Sequence, residues 1–207
     1  AVAINLAMTF AQDGQRVLLV DCNFRRPGLR PHFPAVSTDG LSSVLSGRCT
    51  FAEAVVQTDV PNLSVLGSGP MPANPAELLS SKQMRELLSH AAQMYDRVLL
   101  DGPPCLLMSD ALILGTLVDG VIMVTRAGGA TKGALQRARD QFQRMNVRVI
   151  GAILNGVQTR PGGYLRQQYR DYYDYTSDQT VVPELPASPP ADEIAIDELE
   201  QHPDDES

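Results

Sequence analysis

Two short apolar runs in this chain each end on an aspartate. The first run, residues 17–20, leads into Asp21, and the second, residues 98–100, leads into Asp101. Such runs, bounded by turn residues, are typical of strands buried on both faces of a parallel sheet. Ligands bind outside the carboxyl ends of those strands, where both carboxylates would emerge. Two acids meeting there suit Mg²⁺, which takes oxygen ligands and shares them with substrate phosphates.

The residues around these aspartates separate a functional site from ordinary turn chemistry. A lone aspartate after a strand is common, because Asp also caps helices and forms turns. Here Asp21 is followed by Arg25-Arg26-Pro27 and Asp101 by Gly-Pro-Pro, which stiffens the loops that hold the carboxylates. Arg25 and Arg26 could clamp a phosphate, pair with acids of a neighbouring subunit, or simply face solvent. Ser109-Asp110 is expected to cap the next helix, and a role near the metal is the lesser alternative.

A tyrosine cluster near the carboxyl end holds five of the six tyrosines within twelve residues. Its charged neighbours and its spacing do not fit one buried helix face. It also lacks the sheet platform and basic groove of an RNA-stacking surface. The cluster therefore predicts accessible phenols that accept phosphate, each phosphate adding about −1.5 to −2 charges. The candidate acceptors are Tyr164, Tyr169, Tyr172, Tyr173 and Tyr175.

The charge of the chain is unevenly distributed. All 17 Lys and Arg residues precede Thr176, and ten of the 24 acids follow it, so residues 1–175 carry a net charge of +3. The acidic, proline-rich end cannot bury enough apolar surface to order itself, and disorder is expected there. The scattered arginines exclude a nucleic-acid footprint. No apolar stretch reaches the ~20 residues of a membrane span, and no signal peptide is present.

The three cysteines show neither disulfide nor zinc spacing. Buried thiols in a reducing cytoplasm are therefore favoured over a reactive cysteine, although Cys22 and Cys105 flank the two aspartates.

Helices and strands are expected to alternate along residues 1–160. A helix over residues 1–12 ends at Gly14, and capping signatures at Thr50, Asn74-Pro75 and Ser80 open further helices. Strands are predicted at residues 17–21, 63–66, 98–101, 121–125 and 147–154. This order predicts an α/β fold with a mostly parallel sheet and helices on both faces. The tyrosine cluster then occupies residues 161–176, and the acidic tail residues 177–207.

Several of these segments resemble the bacterial tyrosine kinases (BY-kinases) of capsule and exopolysaccharide synthesis, which are relatives of the MinD and ParA ATPases. Residues 3–7 resemble the helix after that family's P-loop, and residues 97–104 resemble its Walker B motif. Residues 17–27 are similar to its Walker A′ segment. Other similar stretches are residues 40–47, residues 67–79 with Asn-Pro-Ala-Glu-Leu-Leu, residues 151–157 and the terminal tyrosines.

The resemblance implies a P-loop NTPase fold, with ATP and Mg²⁺ as cosubstrates. Asp21 would hold the metal or orient and deprotonate the phenol, Asp101 would serve Mg²⁺ through its water shell, and Asn155 would lie near the adenine. The terminal tyrosines would be phosphorylated in trans within a ring-like homo-oligomer. The resemblance also implies a membrane activator or chain-length regulator, fused or separate, and a tyrosine phosphatase as partners. It places the domain in the cytoplasm at the inner face of the membrane.

Two departures from the family pattern bear on activity. The P-loop, Gly-x-x-x-x-Gly-Lys-Ser/Thr, is missing from these residues, and the chain resembles the carboxyl part of something longer. Without that loop the triphosphate has no cradle, so the fragment alone is expected to be inactive. The second acid of Walker A′ is replaced by Asn23, which can bind through its carbonyl oxygen but cannot accept a proton at neutral pH.

Two other hypotheses stay open on the sequence alone. A MinD/ParA-like ATPase that positions cargo would end in a basic amphipathic membrane helix, where this chain has tyrosines and acids. A degenerate kinase, whose tail is phosphorylated by another enzyme and binds partners, is supported by Asn23.

Overall fold

In a computed structural model of the protein, which describes residues 2–157, these residues form seven helices and six strands. The helices are α1 (Val2–Gln12), α2 (Leu41–Leu45), α3 (Phe51–Ala54), α4 (Pro75–Ser80), α5 (Lys82–Met94), α6 (Asp110–Gly115) and α7 (Lys132–Arg144). The strands are β1 (Val17–Asp21), β2 (Val55–Gln57), β3 (Leu63–Leu66), β4 (Arg97–Asp101), β5 (Val121–Arg126) and β6 (Val149–Asn155). The predicted tyrosine cluster and acidic tail lie outside the described residues.

The strands form two hydrogen-bonded sheets. Four strands lie in the order β2-β3-β1-β4, and β5 pairs with β6 in a separate sheet. β1 runs parallel to β3 and β4, and β5 runs parallel to β6, whereas β2 is antiparallel to β3. The predicted mostly parallel α/β fold is therefore confirmed. Strand β2 was not predicted, because its three residues directly follow a capped helix and are too few to show an alternating pattern.

Both faces of β1 are covered by helices. Because successive side chains of a strand point to opposite faces, Val17 and Leu19 pack in a cluster with α1. Leu18 and Val20 pack in a second cluster with residues of α5, among them Met84. Every residue of β1 is buried. The expectation of helices on both faces of the sheet is confirmed for this strand.

One predicted helix start is displaced by a residue. Ser81 caps α5, with its side-chain oxygen accepting from the Met84 amide at 3.2 Å, whereas the predicted cap, Ser80, is the last residue of α4. Ser80 donates to the Glu77 carbonyl at 3.0 Å instead, because the helix that begins at Pro75 continues through it. The predicted capping box at Thr50 is confirmed.

The second sheet is more exposed than its apolar sequence predicts. Ala138 and Phe142 of α7 are buried, whereas Met145 follows the helix and is 43% exposed. The helix ends there because Asn146 takes a left-handed conformation, with φ of 55°. Four apolar side chains of β5 and β6 are also exposed, namely Ile122, Val124, Ile150 and Leu154.

None of the described helices is both long and apolar enough to cross a bilayer.

Gly40 allows the loop after β3 to lie against the start of α2. Gly67 accepts from the Leu41 amide at 2.7 Å, and Ser68 accepts from the Ser42 amide at 2.9 Å. A Cβ on Gly40 would fall on the Gly67 carbonyl oxygen and the Gly69 amide nitrogen, both rigid backbone atoms.

We expect Gly40→Ala to lower the free energy of unfolding by about 2 kcal/mol, because the backbone must move to admit the methyl group. Urea denaturation measures this change. Gly133→Ala is the matched control, since its Cβ would meet no atom closer than 3.6 Å in α7. The control should be neutral or stabilising, by up to about 1 kcal/mol. Equal effects in the two variants would contradict the close approach at Gly40.

Candidate active site

The two aspartates singled out in the sequence lie side by side. Asp21 ends β1 and Asp101 ends β4, and the two residues are partners in the register of these adjacent parallel strands. The Cys22 amide donates to the Asp101 carbonyl at 2.9 Å, which continues the ladder one step beyond the strands. The predicted meeting of the two acids at one rim of the sheet is therefore confirmed. Their catalytic roles stay predictions.

An ion pair fixes the other end of the same two strands. The Arg16 guanidinium lies 2.8 Å from the Asp96 carboxylate, and the Arg97 amide donates to the Arg16 carbonyl at 3.1 Å. Hydrogen bonds from the Arg16 side chain and amide lower the pKa of Asp96 to about 2. Contacts at both ends thus set the register that places Asp21 opposite Asp101.

Asp21 is buried under the loop that follows it. The residue is only 1% exposed, and its carboxylate oxygens accept three backbone hydrogen bonds. Oδ1 accepts from the Asn23 amide at 3.0 Å. Oδ2 accepts from the amides of Gly28 at 2.7 Å and Leu29 at 3.2 Å. Asp21 therefore closes residues 22–29 into a turn, called here the acid loop.

Burial makes both aspartates harder to ionise than usual. It raises the pKa of Asp21, although the three amides that donate to the carboxylate partly oppose this. Burial also raises the pKa of Asp101, and the negative charge of Asp21 adds to that effect. A cation beside the two partly desolvated carboxylates would favour their ionised forms and so lower both pKa values.

The acid loop lies across the end of β4. Phe24 is 4% exposed and belongs to the same core cluster as Leu114 of α6. A Cβ built on Gly28 would lie 3.8 Å from Oδ2 of Asp101, so the loop backbone passes close to this carboxylate. Gly28 was not among the predicted site residues, although the Pro27-Gly28 pair is a turn signal in the sequence.

Asn23 shapes the acid loop from within. Its Oδ1 accepts from the Arg26 amide at 3.2 Å, as an aspartate at this position could do. The Arg26 side chain is exposed, with no ion pair to another described residue. The phosphate-clamp hypothesis for Arg26 stays a prediction.

Arg25 lies beside an acid of its own chain. Its Nε is 4.0 Å from Oδ2 of Asp110, the first residue of α6. Asp110 is 4% exposed, and Ser109 precedes the helix as its N-cap without a side-chain cap hydrogen bond. The predicted position of the cap is therefore right, while the predicted capping contact is missing. An acid of the same chain beside Arg25 is a surrounding that was not among the three predicted ones, and the phosphate-clamp hypothesis for Arg25 stays a prediction.

The cysteine next to this site is not a nucleophile. Cys22 is 1% exposed. Burial raises the pKa of its thiol far above the usual value, and the charges of Asp21 and Asp101 raise it further. A protonated thiol neither attacks substrates nor binds metal, so the expectation of a buried structural cysteine holds for Cys22.

A small cleft opens on the β3 side of Asp21. Its volume is about 130 Å³, and Pro27, Arg30, Thr38 and Ser68 are among its lining residues. A drug-sized ligand or cofactor usually needs a pocket of about 300 Å³ or more, so this cleft does not hold a whole nucleotide.

Asn155 belongs to the other sheet. It ends β6, is exposed, and accepts from the Gly156 amide through its own Oδ1 at 2.9 Å. Its carbonyl accepts from the Ala127 amide at 2.8 Å. Between residues 2 and 157 no strand hydrogen bonds connect this sheet with that of Asp21 and Asp101. The predicted adenine contact stays a prediction.

The arrangement of acids fits Mg²⁺ better than a metal held by protein ligands alone. Within the described part of the chain, no three His, Cys, Asp or Glu side chains group together as a metal cage. Two neighbouring carboxylates are what Mg²⁺ uses when phosphates and water complete its six ligands. Asp101, partly buried and without a backbone donor at its carboxylate in residues 2–157, would hold the ion or its water.

Comparison with known proteins decides the family. A family model described as an AAA domain matches residues 1–148. The tyrosine-protein kinase YwqD of Bacillus subtilis (strain 168) is 43% identical over 154 residues, or 74% of this chain and 65% of that protein. The tyrosine-protein kinase CpsD of Streptococcus agalactiae is 31% identical, over 83% of this chain and 73% of that protein. The chain belongs to the bacterial tyrosine-kinase family.

Solved structures agree with this membership of the tyrosine-kinase family. The kinase domain of the Escherichia coli tyrosine kinase ETK has a TM-score of 0.75 and 34% identity, covering 78% of this chain and 64% of that one. The septum site-determining protein MinD of Pyrococcus horikoshii, complexed with Mg-ADP, has a TM-score of 0.62 at 20% identity, covering 81% and 70%. That likeness shows the fold alone, and it confirms the predicted MinD-like P-loop NTPase type.

The bacterial tyrosine kinases to which this chain is similar are longer than the matched region. The chain spans 65% of the length of YwqD and 24% of the tyrosine-protein kinase Wzc of Salmonella typhi. Membership of the family therefore concerns these residues, and the activity of a whole protein is a matter for proposal.

Proposed function

We propose that the protein is an ATP-dependent protein-tyrosine autokinase that regulates exopolysaccharide or capsule synthesis and export. The observation that carries the proposal is the pairing of Asp21 with Asp101 at the ends of adjacent parallel strands. Phosphoryl transfer depends mainly on positioning and on neutralising charge, which two fixed carboxylates beside a magnesium nucleotide would serve. Kinship with tyrosine kinases favours this function over a cargo-positioning ATPase.

The residues of this chain would divide the work at that rim. Asp101 would hold Mg²⁺ through its water shell, and the ion would neutralise charge on the phosphates. Oδ1 of Asp21 accepts one described hydrogen bond, so it retains a lone pair for the acceptor phenol or for a metal-bound water. Its raised pKa makes it a better proton acceptor than an ordinary aspartate. Arg26 would add positive charge near the phosphates, and Asn155 would contact the adenine.

The acceptors would be the five clustered tyrosines, presented in trans by a neighbouring copy in a ring-like homo-oligomer. Full modification would add roughly −8 to −10 charges to each chain, enough to break a contact between copies by repulsion. A tyrosine phosphatase would reverse the reaction. A membrane activator or chain-length regulator, fused or separate, would hold the domain at the inner face of the cell membrane.

Residues 1–207 do not contain a Gly-x-x-x-x-Gly-Lys-Ser/Thr phosphate loop. The two carboxylates alone do not cradle a triphosphate, because that needs backbone amides and a lysine aimed at the phosphates. We therefore expect residues 1–207 alone to be inactive, and a chain that supplies the loop to be active.

The test compares residues 1–207 with the longest natural chain that contains them, each incubated with ATP and Mg²⁺. Mass spectrometry should find phosphotyrosine at the five clustered positions in the longer chain only. A variant with Phe at all five positions is the control and should lack it. ATP hydrolysis without any phosphotyrosine would contradict the proposal and favour the positioning ATPase.

Asn23 favours a second candidate, a degenerate kinase whose tail is phosphorylated by another enzyme. Asn23→Asp restores the second acid and keeps an acceptor for the Arg26 amide. If the protein is an autokinase limited by Asn23, this variant should raise the phosphotyrosine yield of the longer chain. Modification that needs a second kinase both before and after the substitution would establish the degenerate kinase.

A further inference from the structure

We propose that Arg25 and Asp110 form a positioning pair, which holds the acid loop over Asp101 and thereby sets the affinity for the magnesium nucleotide. The role in nucleotide affinity rests on the proposed function; the hold on the loop does not. Neither residue touches the reacting groups in this proposal. Arg25 acts through the loop and Asp110 through Arg25.

The acid loop is held at several points along its length. The Cys22 amide bonds the Asp101 carbonyl, and the amides of Gly28 and Leu29 bond Asp21. Phe24 packs in the core cluster that includes Leu114 of α6, and Arg25 adds a charged contact to the same helix at Asp110. The pair therefore ties the loop to the element that follows the Asp101 strand in the chain.

The two members of the pair differ in exposure to solvent, which indicates that Asp110 holds Arg25 in place. The Arg25 side chain is 47% exposed, whereas the Asp110 side chain is 6% exposed. Among residues 2–157, Asp110 has an ion-pair contact with Arg25 alone. A buried carboxylate that loses its cation is costly, so Asp110 retains Arg25 at this place. An arginine held in this way is less available to follow a phosphate, which separates this proposal from the clamp hypothesis.

Closure of the loop matters because of what lies beneath it. The loop backbone at Gly28 approaches Oδ2 of Asp101, and its amide bonds Oδ2 of Asp21. Any movement of the loop therefore changes the surroundings of both carboxylates together. Residues that orient metal-holding groups in this indirect way commonly change metal affinity by about 10- to 100-fold.

The first experiment measures loop closure without any nucleotide. Hydrogen exchange of residues 1–207, followed by mass spectrometry or NMR, compares wild type with Arg25→Gln, Asp110→Asn and the double variant. Each single variant should speed exchange at the Gly28 and Leu29 amides about fivefold. The double variant should add little, because each single change already breaks the pair. Arg25→Lys keeps the charge and should restore most of the protection.

The Arg139–Asp140 pair provides the matched control. It joins at 2.8 Å on α7 and is about half exposed on both sides. Arg139→Gln and Asp140→Asn should leave the Gly28 and Leu29 amides unchanged. The positioning role is overturned if the Arg25 and Asp110 variants leave these two amides within twofold of wild type. It is equally overturned if exchange rises alike along β1 and β3, since that would mean general loss of stability. The amides that pair β1 with β3 measure this general loss of stability in the same experiment.

The second experiment tests the consequence for nucleotide binding in the longest natural chain that contains these residues. Titration calorimetry should show that Arg25→Gln and Asp110→Asn both weaken binding of ATP with Mg²⁺ by about tenfold. A direct phosphate clamp instead predicts loss with Arg25→Gln and unchanged binding with Asp110→Asn, which would overturn the pair. If wild type itself does not bind the nucleotide, the proposed function fails, while the exchange result still decides whether the pair holds the loop.

Discussion

Replacing Asp101 with asparagine is expected to abolish tyrosine phosphorylation and, at the same time, to stabilise the protein without ligand. The amide keeps the shape of the side chain but removes the negative charge that would hold the magnesium shell. Loss of such an electrostatic contact should lower kcat/KM by about 10³-fold in the longest natural chain.

The gain in stability follows from the raised pKa of Asp101. An acid whose pKa is higher in the folded state costs stability once pH rises above its unfolded value, 3.8, and the full cost is present above the folded value. An asparagine in its place would not carry that cost, so Asp101→Asn should raise the free energy of unfolding at pH 7 by about 1 kcal/mol. The advantage should fade as pH falls through the raised folded-state pKa and be lost once pH is well below 3.8.

Thermal unfolding from pH 3 to pH 8, with phosphotyrosine measured in parallel, checks both effects of Asp101→Asn. Asp119→Asn is the matched control, because it removes the same charge from an exposed residue. It should change neither the activity nor the pH dependence. Full activity in Asp101→Asn would refute the assigned metal role, and lower stability at pH 7 would refute the electrostatic cost.

The opposite effect on stability is expected at the neighbouring acid. Asp21→Ala should lower the free energy of unfolding by about 3 kcal/mol, because three backbone amides lose their acceptor. Removing the buried charge of Asp21 is expected to raise the free energy of unfolding, because burial raises the pKa of this carboxyl. Leaving a buried donor without a partner costs about 1–3 kcal/mol. The Leu29 hydrogen bond is buried and those of Asn23 and Gly28 are partly buried, so together their loss outweighs that relief.

Urea denaturation of Asp21→Ala, Asp101→Ala and wild type tests this difference in an identical substitution. Asp101→Ala should be neutral or stabilising, since no described backbone amide donates to its carboxylate. Hydrogen exchange at Asn23, Gly28 and Leu29 should accelerate in Asp21→Ala only. If the two variants were equally stable, Asp21 would not organise the loop in the way the distances indicate.

The main fold could be predicted because its signals are local. The run at residues 17–21 is apolar throughout and ends on an acid, which fits the completely buried central strand observed. Since parallel strands place their carboxyl ends together, the meeting of Asp21 and Asp101 followed from the strand assignments alone. Strand β2 escaped prediction because an edge strand of three residues depends on its partner β3 rather than on its own pattern.

The detailed environment of the site could not be predicted, because it depends on contacts between distant residues. Arg25 and Asp110 are separated by 84 intervening positions, and no spacing rule connects them. The three amides that bind Asp21 depend on how the acid loop turns, which the Arg-Arg-Pro-Gly sequence permits but does not determine. The adenine contact of Asn155 stays a prediction, and so do the roles of the tyrosines, which lie outside the described residues.

The separation of the two sheets has a practical consequence for anyone who handles these residues. Between residues 2 and 157, β4 pairs with β1 alone and β5 with β6 alone, so one edge of each strand has no partner strand among these residues. Ile122 and Val124 are exposed on β5. Open strand edges with apolar neighbours recruit strands from other molecules. Purification at low protein concentration and low temperature is therefore advisable, with light scattering to monitor aggregation.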